Sequence, residues 1–166
     1  MMKADVRTPQ HDWLKALEGE WLCESESVEG APQQAPCARG RETVRALGDL
    51  WVLLEGRSEL EGGGVMHTLM TLGFDPARGE GGRFVGSWVG SVMSMQWVYD
   101  GELDAAGRVL SLYCEGPDFS GSGTARYCDR IELISQDERS LTAHVQAPDG
   151  SWRPFMCVRF HRRPAG

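Results

Sequence analysis

The chain has 166 residues, 17 Lys plus Arg against 24 Asp plus Glu, and a formal net charge of −7, long enough for one domain to bury a core without disulfide or metal staples. The negative balance repels a phosphate backbone or an anionic membrane surface, so neither nucleic acid nor a membrane is an expected partner. No segment approaches the roughly 20 apolar residues that span a bilayer, and no apolar run follows the opening Met1-Met2-Lys3-Ala4-Asp5-Val6-Arg7, so the expected location is the cytoplasm.

Residues 1–9 read as a flexible N-terminus, and the whole of 1–166 as a single domain. The one helical segment is Asp12-Trp13-Leu14-Lys15-Ala16-Leu17. Thr8 is placed to cap it, Pro9 suits a first turn, Leu14 and Leu17 share a face, and Gly19 stops it. One or two turns of helix suffice for a plug or lid.

After Gly19 the period changes to two. About ten alternating runs follow, near 20–27, 39–47, 50–59, 65–74, 83–89, 92–100, 108–115, 124–135, 140–147 and 151–162. Gly48-Asp49, Gly90-Ser91, Asp100-Gly101 and Pro148-Asp149-Gly150 are short enough to be hairpin turns, which make neighbouring strands antiparallel. Val28–Ala38, with Pro32 and Pro36, reads as a long exposed connection at a mouth. Gly62-Gly63-Gly64 and Gly79-Glu80-Gly81-Gly82 read as plain turns, because no helix follows them to form a phosphate cradle. Ten meandering strands with almost no helix to cover a face favour closure into an all-β antiparallel barrel. A barrel of that size can hold a small ligand.

The five cysteines, Cys23, Cys37, Cys114, Cys128 and Cys157, are scattered and form no CxxC pair, the pattern of reduced thiols. His11, His67, His144 and His161 show neither HxH nor HxxxH spacing, so no metal site is expected. No nucleophile elbow, HExxH, phosphate loop or dinucleotide fingerprint occurs, so no catalytic residue and no cofactor are assigned.

Leu17-Glu18-Gly19-Glu20-Trp21 resembles the GxW signature that opens lipocalin-like barrels. The succession Gly73-Phe74-Asp75-Pro76, Arg83-Phe84-Val85-Gly86-Ser87-Trp88-Val89-Gly90-Ser91 and Asp100-Gly101 resembles the "GYD … W-x-D-S … G" core of the bacterial DUF1579 family. With Leu47-Gly48-Asp49-Leu50-Trp51, the likeness runs from about residue 10 to 160. It implies a lipocalin-like (calycin) barrel and supplies no activity. Gly90 stands where that family often has Asp, so any role of that carboxylate is missing here. In the GxW signature, Trp21 is placed to plug the closed end under a basic residue of the last strand, Arg159 or Arg162.

Candidate cavity residues come from strand parity. Met93, Met95, Trp97 and Tyr99 form a bulky stripe, and Phe84 and Trp88 can meet it across the Gly90-Ser91 turn. Read as core this is packing; read as a pocket it is soft and flat, suited to apolar or aromatic molecules. Glu55 and Arg57 share a face with Trp51 and Leu53 and serve as polar handles if they point inward; Glu42 and Arg130 raise the same question. His67 lies near that strand, and imidazole is a side chain suited to proton exchange.

The first reading is therefore a binding module in which Glu55, Arg57, His67, Trp88, Met93, Met95, Trp97 and Tyr127 surround a small apolar or aromatic ligand. The second is a homodimeric interaction protein with a filled barrel. The third is an acid/base enzyme using Glu55 with His67 or Tyr127. The last is haem binding through His161 or His144, by analogy with the nitrobindin branch of small calycins, whose Gly-rich continuation is replaced here by Leu22-Cys23-Glu24.

Overall fold

The computed structural model describes residues 2–31 and 37–164. A short helix, α1 (Pro9–Lys15), precedes ten strands: β1 (Gly19–Glu26), β2 (Cys37–Leu47), β3 (Trp51–Leu60), β4 (Val65–Asp75) and β5 (Arg83–Gly90), then β6 (Trp97–Leu103), β7 (Val109–Pro117), β8 (Thr124–Ser135), β9 (Glu138–Gln146) and β10 (Trp152–Arg162). Each strand pairs with its sequence neighbour, and β1 pairs with β10, closing the barrel. All ten ladders are antiparallel. No helix among the described residues is long and apolar enough to cross a membrane.

The expected long connection at 28–38 falls mostly outside the described residues, because 32–36 are not among them. The expected strand at 92–100 is shorter than its alternation suggests. Ser91 ends the ladder instead: its N–H donates to the His67 carbonyl (2.8 Å) and its Oγ accepts from the His67 N–H (2.9 Å). Residues 91–96 then form a rim loop that carries Met93 and Met95. Asp100-Gly101 is likewise no turn. It lies within β6, opposite Val85 and Phe84, and the chain reverses at Asp104–Gly107.

One end of the barrel is closed. The Thr8 N–H donates to His11 Nδ1 (2.9 Å), which leaves Nε2 to carry the proton and donate to the Phe74 carbonyl (3.1 Å). Trp13 Nε1 donates to the Gly107 carbonyl (2.8 Å). These bonds hold α1 across the opening, with Leu14 and Leu17 buried beneath it.

Trp21 lies at the floor, buried, its indole donating to the Leu17 carbonyl (2.8 Å). Arg162 is the basic residue over its ring, 4.2 Å from the centroid, and it also donates to the carbonyls of Ala16 and Gln136. Arg159 instead lies outside, paired with Glu26 and Glu138. The glycine of the GxW signature is required twice over. Gly19 has φ +130°, and a Cβ there would sit 2.4 Å from an Arg162 guanidinium nitrogen.

Candidate functional site

Alternation along each strand sends one set of side chains inward. Near the floor this set is Val44, Val52, Leu72, Phe84, Leu110, Leu112 and Ile131, packed without space between them. Further up the inward residues become smaller: Gly56 and Ser58 on β3, Thr68 on β4, Ala143 on β9. The core therefore stops halfway, and a cavity of about 480 Å³ opens toward the rim.

Arg39, in an ion pair with Glu24, and Arg41 line the cavity from β2, and further polar groups face or underlie it. At its floor Glu42 pairs with Arg139, whose guanidinium is stacked 3.9 Å from the Phe160 ring and 4.6 Å from that of Trp21. The pair answers the charge of Glu42, so that carboxylate is matched. Arg139 Nε makes no hydrogen bond.

On the wall, the Tyr99 hydroxyl of β6 donates to Asp129 Oδ2 of β8 at 2.6 Å. Asp129 is partly buried and borders the void. Burial pushes its carboxyl up from 3.8 to about 6, against the stabilising bond from Tyr99. Burial, reinforced by the Asp129 charge, holds the Tyr99 hydroxyl well above its ordinary value. Between them on β7, burial pushes the Cys114 thiol up to about 12, so it remains protonated and is a poor nucleophile.

The rim is aromatic and soft. Trp97 and Tyr127 meet edge to face, 5.2 Å between centroids, and Phe119 and Phe155 do the same at 5.2 Å. Met93 Sδ accepts from Trp97 Nε1 at 3.3 Å. Gly116 makes room for this group, since a Cβ there would lie 2.2 Å from the Trp97 ring.

Trp88, Met93, Trp97 and Tyr127 line the cavity, and the structure brings them together. Met95 lies against Gly116 beside Trp97 without lining the void. Glu55, Arg57 and His67 require correction. They sit on the outer face of β3 and β4, opposite in parity to the inward Leu54, Gly56, Thr68 and Met70. Glu55 is spent on Arg45 (3.0 Å), and Arg57 stands opposite His67 in the ladder. The proposed acid/base pairing of Glu55 with Tyr127 is therefore split by the barrel wall, and Glu55 with His67 lies wholly outside the cavity. His144 and His161 do not line the cavity either, which leaves the haem reading without a ligand there.

Among the polar residues that border the cavity, Asp129 and Tyr99 carry a readable signal. Tyr127, Asp129, Ile131 and Leu133 share one parity, and a single carboxylate in an otherwise apolar inward stripe is the mark of a placed polar group.

Comparison with known proteins settles the family. The model described as a protein of unknown function, DUF1579, matches residues 7–162. The chain belongs to the DUF1579 family. Among curated proteins, none matches the sequence. Among solved structures, the crystal structure of Rv2717c from M. tuberculosis superimposes with a TM-score of 0.61 at 14% identity, covering 96% of this chain and 100% of that one. That likeness concerns the fold alone. A structure of EF1p2_mFAP2b bound to DFHBI aligns over 92% of this chain and 98% of its own, with a TM-score of 0.43 and 10% identity. As a DUF1579 protein, this chain joins a family without an assigned activity to a barrel with an open interior.

Proposed function

We propose that this DUF1579 protein binds a small, mostly apolar, flat molecule inside its barrel. The reading rests on one observation: the packed core ends at mid-height and gives way to a cavity of about 480 Å³ walled by aromatic and thioether side chains. Ligand sites commonly fall between roughly 300 and 1,000 Å³ and combine apolar walls with a few polar groups. A filled barrel would have served an interaction protein equally well, whereas empty apolar space forfeits dispersion contacts and stabilises nothing by itself. Trp97, Tyr127 and Trp88 offer ring faces and edges to a flat guest, and the Met70 and Met93 thioethers adapt to its outline.

The test uses 1-naphthylmethanol, with tryptophan fluorescence as the readout, because Trp88 and Trp97 line the void. Quenching should saturate with the native protein. It should vanish in Ala143→Phe, which fills the cavity from a buried wall position while the rest of the core is untouched. Equal quenching of both proteins, or none of either, rejects the reading.

A further inference from the structure

One carboxylate on the cavity wall has no cation beside it. Glu42 is neutralised by Arg139 at the floor. Asp129 has no such partner: among the described residues its only hydrogen bond is from the Tyr99 hydroxyl, and no Lys or Arg pairs with it. The neighbouring strands face it with Tyr99 from β6, Cys114 from β7 and Leu141 and Ala143 from β9. None of these supplies a cation; the arginines that line the cavity, Arg39 and Arg41, belong to β2, four strands away around the barrel, and Arg39 is paired with Glu24.

Directly toward the rim lies a different kind of surface. Trp97 is two residues before Tyr99 on β6, and Tyr127 two residues before Asp129 on β8. Both steps keep the inward parity and rise about 7 Å along the barrel. The Tyr99–Asp129 hydrogen bond thus forms one rung, and the Trp97–Tyr127 ring pair, 5.2 Å apart, the next. A carboxylate beneath aromatic faces is complementary to a cationic head joined to a flat body, because the rings' electron-rich faces add to the attraction. The net charge of −7 also favours the approach of a cation over that of an anion.

We infer that the ligand of this cavity is an organic cation, an amine or amidine whose charged nitrogen sits on Asp129 and whose apolar body lies against Trp97 and Tyr127. This assignment rests on the binding reading above and adds the ligand's charge. It makes affinity depend on the ionisation of one group. Cys114 and Tyr99 keep their protons throughout pH 5 to 8, so within that interval Asp129 is the facing group that changes charge, with its carboxyl near 6. A cation binds to the ionised form, so its affinity rises as pH increases through that value.

The experiment compares 1-naphthylmethylammonium with its neutral isostere 1-naphthylmethanol by isothermal titration calorimetry at pH 5 and pH 8. The ammonium ion should bind about tenfold or more tightly than the alcohol at pH 8. That preference should shrink toward parity at pH 5 and in Asp129→Asn, which retains an acceptor for Tyr99. Tyr99→Phe removes the hydrogen bond that favours the ionised carboxyl, so it should move the midpoint of the pH dependence upward. If the alcohol binds as tightly as the ammonium ion at pH 8, or the preference survives Asp129→Asn, the cation assignment is overturned and the cavity reading stands. If neither compound binds, the cavity reading fails and the assignment falls with it.

Discussion

Replacing Asp129 by Asn should stabilise the protein, and by an amount that depends on pH. In the native barrel the carboxyl is raised from 3.8 to about 6 by burial. Between those values the unfolded chain has released the proton and the folded chain still holds it. The group is therefore neutral toward stability at about pH 4 and below, and its cost grows as pH rises, reaching about 3 kcal/mol above pH 6. Asparagine cannot ionise, and its carbonyl oxygen still accepts from Tyr99. Urea denaturation of both proteins should give nearly equal stabilities at pH 4 and a gap of about 3 kcal/mol in favour of the variant at pH 8. In melting temperature this is about 6–12 °C for a domain of this size. A gap that stays constant between pH 4 and pH 8 would refute the claim that an unpaired carboxyl is buried there.

Two other substitutions separate the interior from the outer face. Glu42→Ala leaves the Arg139 guanidinium, 1% exposed, without its carboxylate, and should cost about 3–5 kcal/mol; Glu42→Met with Arg139→Met should recover most of that, and a single-variant loss below about 1 kcal/mol in urea would contradict the pairing. Glu55→Ala removes a half-exposed partner of Arg45, so it should change stability by less than about 1 kcal/mol and leave the affinity for 1-naphthylmethanol unchanged, as calorimetry would show.

Much of this architecture is legible in the residues. The switch from helical to twofold period at Gly19, the short turns and the GxW signature lead to a closed ten-stranded barrel with a helical plug, and Arg162 takes the place over Trp21 that the signature implies. What the pattern misleads on is parity in β3. Trp51 and Leu53 are apolar, so their face looks like the core, and Glu55 and Arg57 follow them inward. Trp51 is in fact apolar on the outside for a local reason: its ring lies over Gly73, where a Cβ would approach it to 2.6 Å. Covering the backbone of a strand glycine is a task for an exposed aromatic residue, and it mimics a core position in the sequence.

The run that carries Met93 and Met95 misleads in another way, about strand pairing and not about Met93's place on the cavity wall. Alternation continues through residues 91–96, but pairing does not, because Ser91 has already bound both backbone groups of His67. Asp129 and Tyr99 were legible from parity alone, as inward neighbours of Tyr127 and Trp97 on β8 and β6. Their approach to each other was not, since β7 separates the two strands and only barrel curvature carries the hydroxyl over to the carboxylate.

The closure of β1 on β10 has a consequence for how the molecule comes into being. Arg162 reaches back across 146 positions to the carbonyl of Ala16, and the strand that completes the cylinder is the tenth. Every other ladder joins sequence neighbours, so a growing chain can zip from hairpin to hairpin while it is being made. Until the tenth strand arrives, the first presents an open edge, and the nascent sheet has two raw borders that invite pairing with another copy. The floor built from Trp21, Arg139 and Arg162 draws on β1, β9 and β10, so it too is assembled only at the final step. Local pairing early and one distant seam late is a topology whose slowest event is expected to be sealing rather than strand formation.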